Sequence, residues 1–284
     1  MMGKKLLLSE EMIKGNPFFR KIDMTTIING GSEQDNVTYY RVLDGISPEI
    51  TSMLYNELII NNFNDDECED ETDFQAFFVK NLEKDNRREN INIIAVKNDN
   101  CIGLLTGMAF HKSELFYFDY ISVKQSTQNK GIGSNLFIAG KMLVRQIAQK
   151  HVYDNSNLAI LLTVEKSNST MNSNKGQDTQ KRLIFYKKHN CMKVIGMPCF
   201  VPGIYNSKTG KQKKPMECFD WLICGVNRIF KNDEIVMNRE KALQFNADNL
   251  DLQYADPKGR PAENTETYKK IEKTISSKIY AKAL

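Results

Sequence analysis

The densest chemical signal in the chain is the stretch Asp119-Tyr120-Ile121-Ser122-Val123-Lys124-Gln125-Ser126-Thr127-Gln128-Asn129-Lys130-Gly131-Ile132-Gly133-Ser134. It reads as a strand ending at Val123, a polar turn, and a helix that opens at glycines. Such a junction gathers backbone N–H groups at the positive end of a helix dipole, which suits a phosphate or pyrophosphate. Gly131 and Gly133 carry no side chain, so a ligand can approach the main chain closely. A dinucleotide fingerprint asks for a third glycine or alanine at position 136, where this chain has Leu136, and the Gly-Lys-Ser/Thr ending of a P-loop is absent. The plain alternative is a glycine-containing turn with no ligand.

The elements that must hold this segment alternate between strand and helix. Thr38–Leu43 reads as a strand, and Ser47-Pro48-Glu49 starts a helix to about Asn61. Seven acids fall in the nine positions from Asp65 to Asp73, followed by a second helical pattern through Phe74, Phe77, Phe78 and Leu82. Ile91–Lys97 and Ile102–Phe110 form a hairpin about Asn98-Asp99-Asn100, and Leu115–Val123 follows as a strand. Leu136, Phe137, Gly140, Leu143, Val144 and Ile147 recur at helical spacing, and Leu158–Val164 is a buried strand. Ser167–Gln180 is a polar loop, Leu183–His189 a helix, and Met192–Phe200 and Met216–Cys224 are strands. Tyr268, Ile271, Ile275 and Ile279 stripe a final helix, to be buried on the same chain or, alternatively, in a homodimer contact.

Within this order, Gln128-Asn129-Lys130-Gly131-Ile132-Gly133 resembles the Gln/Arg-x-x-Gly-x-Gly/Ala acetyl-CoA signature of the GNAT family of N-acetyltransferases. Residues 37–226 can be read in the family's order of elements. The resemblance implies an α/β fold with a mixed, mostly antiparallel central sheet flanked by helices. Residues 1–36 are an N-terminal extension and residues 227–284 a helical C-terminal one. It further implies acetyl-CoA as co-substrate, and acetyl transfer to a primary amine by direct attack in a ternary complex. By position, Ile121, Ser122 and Val123 would meet the acetyl and pantetheine parts, and Gln128, Asn129, Lys130, Gly131, Ile132, Gly133 and Ser134 would hold the pyrophosphate. Asn168 sits where the family often has a cofactor-contacting Asn. Phe185-Tyr186-Lys187-Lys188-His189 resembles the segment whose Tyr protonates the departing CoA thiolate. The chain departs from the commonest form with Gln128 in place of Arg, Asn129 in place of Gly, and the Ser167–Gln180 lengthening between Asn168 and Tyr186.

The implied reaction asks for a base. A lysine-like amine with a pKa of about 10.4 needs roughly 4 to 5 kcal/mol to be neutral at pH 7. Asp119 lies on the strand face of Tyr117, Ile121 and Val123, and Glu114 stands at the strand entrance. Asp119 is the first candidate and Glu114 the second, acting directly or through a water. An ordinary strand carboxylate is the alternative for Asp119, as a core aromatic is for Tyr186.

Composition bounds the partners. The 284 residues are 41% hydrophobic and 26% charged, an ordinary globular chain with a formal charge of +4, too near balance to declare a nucleic-acid or membrane partner. The start offers only Leu6, Leu7 and Leu8 as an apolar run, so no leader is expected and the protein is read as cytoplasmic with its six cysteines reduced. The three histidines do not fall at metal-ligand spacing with any cysteine pair, and no metal is expected. The acidic run would draw in a cationic amine, a small molecule or a lysine side chain. Lys208, Lys211, Lys213, Lys214 and the lysines of the final helix support an alternative: an RNA-binding or interaction module on the same scaffold, although no aromatics interleave them. A cysteine-bound acyl intermediate ranks last, because no cysteine has a nucleophile's context.

Overall fold

The computed structural model describes residues 12–13, 15–24, 36–63, 68, 70–78, 87–166, 179–200, 205–206, 211–212, 219–252 and 265–284. The chain divides into two compact units: residues 1–83, 90–107 and 119–143 form the first, and residues 84–89, 108–118 and 144–284 the second. The fold is α/β, with a mixed and mostly antiparallel sheet flanked by helices.

In the first unit, β1 (Phe19–Lys21) pairs antiparallel with β2 (Thr38–Val42), and β2 with β3 (Arg88–Lys97). Part of the N-terminal extension thus adds an edge strand that sequence periodicity did not reveal. β3 turns into β4 (Asn100–Phe110) through Asn98 and Asp99, both at positive φ (48° and 58°), the two-residue turn whose twist matches a hairpin. α1 (Pro48–Leu54) has Pro at its start and Glu49 in its first turn, then widens into a π turn over Tyr55–Ile59. α2 (Glu71–Ala76) is capped by Asp70, whose carboxylate accepts from the N–H groups of Thr72 and Asp73, both at 3.1 Å. At its other end the Phe77 carbonyl accepts from the side-chain amides of Asn90 (2.8 Å) and Asn92 (3.0 Å). Tyr55, Phe74, Phe78 and Tyr120 fill the space between these elements as a cluster of tilted and edge-on rings. β5 (Leu115–Val123) leads through a short 3₁₀ turn, Gln125–Thr127, into α3 (Ile132–His151).

In the second unit, the start of β5 pairs in parallel with β6 (Ala159–Glu165), Phe116–Phe118 matching Ile160–Leu162. β6 then pairs antiparallel along its whole length with β10 (Phe219–Gly225). The order continues through β7 (Met192–Ile195), β12 (Lys278–Lys282) and β11 (Ile235–Asn238), all antiparallel. α4 spans Thr179–Lys188, α5 Arg239–Leu252 and α6 Glu266–Thr274. Tyr117, Trp221 and Phe245 pack edge to face, 5.5 to 6.4 Å apart, between sheet and α5. A two-rung ladder joins β8 (Tyr205–Asn206) and β9 (Lys211–Gln212), inside the lysine-rich connection.

Two readings change, and one holds. Residues 227–284 are helix and strand together, not helix alone: α6 stops at Thr274, Ile275 is extended (ψ 134°), and Ile279 lies in β12. The apolar stripe is buried within this chain, with Ile271, Ile275 and Ile279 all covered. β7 ends at Ile195 instead of reaching Phe200, because Gly196 turns the chain at φ +91° and its carbonyl accepts the Ser276 N–H. Most of the acidic run and of the Ser167–Gln180 loop lies outside the described residues, as does Leu82.

Candidate active site

The predicted signature is a left-handed turn at the mouth of a long helix. After the 3₁₀ turn, Gln128 is extended (φ −62°, ψ 162°), Asn129 adopts φ +61° and Gly131 φ +78°. A turn that mixes left-handed residues with residues of negative φ aims successive N–H groups inward, the geometry of an anion-binding concavity. The α3 ladder begins with Asn135 N–H to Gly131 carbonyl at 3.0 Å, so Ile132, Gly133 and Ser134 form the first turn, whose N–H groups have no intrahelical acceptor. Gln128, Asn129 and Lys130 are exposed, and Ile132 is buried beneath them. Gln128 donates from Nε2 to the Val123 carbonyl at 3.2 Å, and Lys130 from Nζ to the Ser126 carbonyl at 3.4 Å. These side chains brace the turn.

The strand that feeds the turn is two-faced. Tyr120 and Ser122 are buried, whereas Asp119, Ile121 and Val123 alternate with them and stay partly exposed. Ser122 donates its hydroxyl to the Leu58 carbonyl at 2.5 Å, and Lys124 pairs with Glu57. Both partners lie in the π turn, a widened backbone of the kind that recurs at functional sites. Ser122 therefore fixes the strand from its buried face, while Asp119, Ile121 and Val123 form the open one.

Beneath the turn, β4 approaches α3 at Gly103. A Cβ there would stand 2.9 Å from Leu136 Cδ1 and 3.3 Å from both Ile132 Cγ2 and the Ser122 carbonyl oxygen. Only glycine lets the first turn of α3 sit this low on the strand. An isolated glycine in an apolar strand is the sequence signal for such an approach. Ser122–Leu58 and Lys124–Glu57 left no local signal, because each joins residues more than sixty positions apart.

Tyr186 lies in the second unit, on α4, a helix with no fully buried residue. What holds α4 is Glu165 at the end of β6, buried and accepting from Arg182 (3.1 Å) and Thr179 (3.4 Å). Arg182 and Tyr186 are four apart and share a helix face. Burial pushes the Tyr186 phenol up to about 12, against the opposing pull of the Arg182 charge. Glu114, at φ +50° in the β4–β5 turn, also belongs to the second unit, where its charge acts on Tyr153 and Lys241. The first unit thus brings together Asp119, Ile121 to Val123 and Gln128 to Ser134, whereas Glu114 and Tyr186 fall in the second, and Asn168 lies outside the described residues. Among the described residues no helix is long and apolar enough to cross a membrane.

No family model and no curated protein matches this chain. Solved structures similar to it include a Bacteroides thetaiotaomicron protein assigned to the GNAT acetyltransferases, 15% identical, covering 77% of this chain and 98% of that one with a TM-score of 0.47. A GNAT family acetyltransferase from Elizabethkingia anophelis with acetyl-CoA bound is 16% identical over 68% of this chain and 99% of its own, TM-score 0.39. An IAA acetyltransferase from Bacillus cereus is 14% identical over 66% and 99%, TM-score 0.37.

Proposed function

We propose that this protein transfers an acetyl group from acetyl-CoA to a primary amine by direct attack in a ternary complex. The observation that carries the reading is the paired left-handed turn at Asn129 and Gly131, set between the open face of β5 and the first turn of α3. That turn offers main-chain donors and the helix dipole to a pyrophosphate. The sequence resemblance to the GNAT signature, over the same residues, supplies the rest of the donor's identity.

In this reading Gln128 to Ser134 bind the pyrophosphate, and the main chain of Ile121, Ser122 and Val123 orients the pantetheine and the thioester. Asp119, on the same strand face as Ile121 and Val123, takes the proton from the ammonium or from the tetrahedral adduct, with Glu114 as the second candidate. The amine's attack on the thioester carbon forms the C–N bond, and collapse breaks the C–S bond and releases a thiolate. Tyr186 serves that thiolate. With its phenol pushed up to about 12, well above a thiol's usual value of about 8.5, it holds its proton and stabilises the sulfur as a hydrogen-bond donor. Full transfer to sulfur would run uphill, so charge stabilisation is its main contribution. The acceptor is a cationic amine, drawn by the acidic run Asp65 to Asp73.

The test is a panel of amines with a free-thiol readout, alongside melting curves with acetyl-CoA. Thiol release with at least one amine, and a melting temperature that rises with acetyl-CoA by mass action, are expected. Salt-sensitive RNA binding with no CoA effect would instead favour the interaction-module alternative. Tyr186→Phe should lower kcat by about a hundredfold, the scale of losing one preorganised donor, with little change in acetyl-CoA affinity. Unchanged turnover would remove Tyr186 from the mechanism.

A further inference from the structure

Two of the chain's three histidines meet in the second unit, remote in sequence from each other and from the acid that joins them. His111 follows the last residue of β4, His151 is the last residue of α3, and Glu89 is the second residue of β3. The imidazoles stack with centroids 4.2 Å apart and an interplanar angle of 27°. One ligand atom from each of Glu89, His111 and His151 lies within 4.8 Å of the other two. We propose that these three side chains form a binding site for a divalent zinc-type ion, separate from the acetyl-transfer machinery.

The donor set is the first argument. Two imidazoles and one carboxylate are borderline-soft nitrogen and hard oxygen together, a set that suits Zn²⁺ and leaves a fourth position for water. The second is spacing. His151 Nε2 stands 3.3 Å from Glu89 Oε2. Bonds of about 2.0 to 2.1 Å place two tetrahedral ligands about 3.3 to 3.4 Å apart, so this edge of the site is already set. The third is orientation. One ring nitrogen of His111, Nδ1, meets the Tyr153 hydroxyl; an outer partner on one ring nitrogen is what ligating histidines normally have.

Electrostatics agree. His151 closes α3 at the negative end of its dipole, where a cation is favoured. Lys150 now satisfies the same Glu89 oxygen at 2.9 Å, but its side chain is 65% exposed and can swing into water as the ion enters. A bound ion would tie the entrance of β3, the exit of β4 and the end of α3 at one point. Its role is therefore to staple the second unit, and it takes no part in acetyl transfer.

The experiment uses the full chain, stripped with a chelator and titrated with Zn²⁺ by calorimetry and by melting curves, with Co²⁺ as a spectroscopic stand-in. One equivalent should bind, and free Zn²⁺ at a hundredfold excess over Kd should raise Tm by about 5 °C. Co²⁺ should give a nitrogen- and oxygen-ligand spectrum. His151→Asn, at a partly exposed position, should weaken binding at least tenfold while folding normally, Tyr153→Phe should weaken it about tenfold, and His189→Asn should leave it unchanged. The proposal is overturned by the absence of heat and of any Tm change at millimolar Zn²⁺, by binding that survives His111→Asn/His151→Asn, or by thiolate charge-transfer bands that place the ion on cysteines.

Discussion

Gly103→Ala tests whether the candidate site depends on how low α3 sits on β4. The added methyl would lie 2.9 Å from Leu136 Cδ1, 3.3 Å from Ile132 Cγ2 and 3.3 Å from the Ser122 carbonyl. Carbon pairs prefer about 3.5 to 4.0 Å, so Leu136 must retreat by more than half an ångström while Ile132 gives a few tenths. Leu136 has no exposed surface and Ile132 only 4%, so neither can turn outward. The Ser122 carbonyl is backbone, and Ser122 is also held through its hydroxyl to Leu58, so that side of the seat does not yield. Overpacking of this kind costs about 1 to 3 kcal/mol. At about 2 kcal/mol, Tm would fall by roughly 4 to 8 °C. Because Ile132 opens α3, the displacement reaches the signature, and calorimetric affinity for CoA should drop several-fold. A double-mutant cycle makes the reasoning sharp. Leu136→Ala alone should cost about 2 to 5 kcal/mol, and in its presence the methyl at 103 enters vacated space, so the pair should cost about 1 to 2 kcal/mol less than the sum. Urea unfolding of the four proteins measures this. Additivity within about 0.5 kcal/mol, or an unchanged Tm for Gly103→Ala alone, would refute the argument.

Gly131→Ala places a Cβ on a residue at φ +78°, costing about 1 kcal/mol and weakening CoA binding; an unaltered CoA Kd would show that the turn does not hold the pyrophosphate. Asp248, only 3% exposed, is pushed up to about 6 chiefly by burial, and its Oδ2 has no hydrogen-bond partner among the described residues. Its folded value lies above the unfolded one of about 3.9, so the folded state holds the extra proton between them: stability falls as pH rises through that window and stays low above it. Asp248→Asn should therefore raise Tm at pH 7.5 and flatten the slope between pH 4 and 6, and an unchanged pH profile of Tm would count against the buried charge. Reversing Asp65, Asp66 and Glu67 to Lys should raise the acceptor KM at low salt with kcat little changed; Asp70 is spared because it caps α2, and an unchanged KM would end the electrostatic account of acceptor choice.

The parts of this protein that could be read from sequence are those in which local chain chemistry and tertiary demand coincide. The Asn98-Asp99 hairpin, the Pro48 helix start and the Gly131–Gly133 opening each depend on the φ preferences of a few adjacent residues, and the structure has them where the residues say. The final stripe shows the limit. Tyr268, Ile271, Ile275 and Ile279 are spaced as a helix face, yet only the first two lie inside α6, because Ile275 is extended and Ser276 is claimed by the carbonyl of Gly196 on a distant segment. Helical spacing and burial are both satisfied by a helix turn followed by a strand, and only β7 decides between them.

Groups that bind and groups that position leave different marks in the sequence. The candidate donor-binding atoms are largely main chain, so what the sequence must supply there is permission: Gly131 at φ +78° and Asn129, a residue that tolerates a left-handed backbone. Permission is local and hence legible. The side chains that fix the site work at long range. Ser122 and Lys124 hold β5 to the π turn, and Glu165 holds α4 through Arg182. Each of these is an ordinary polar residue in its own neighbourhood, and its meaning comes from a partner that only the fold delivers. A further member of such a set should therefore be sought among buried polar residues of strands, such as Thr106, whose hydroxyl accepts the Tyr120 N–H at 3.3 Å one residue from Asp119. Glycine-rich turns would not reveal it.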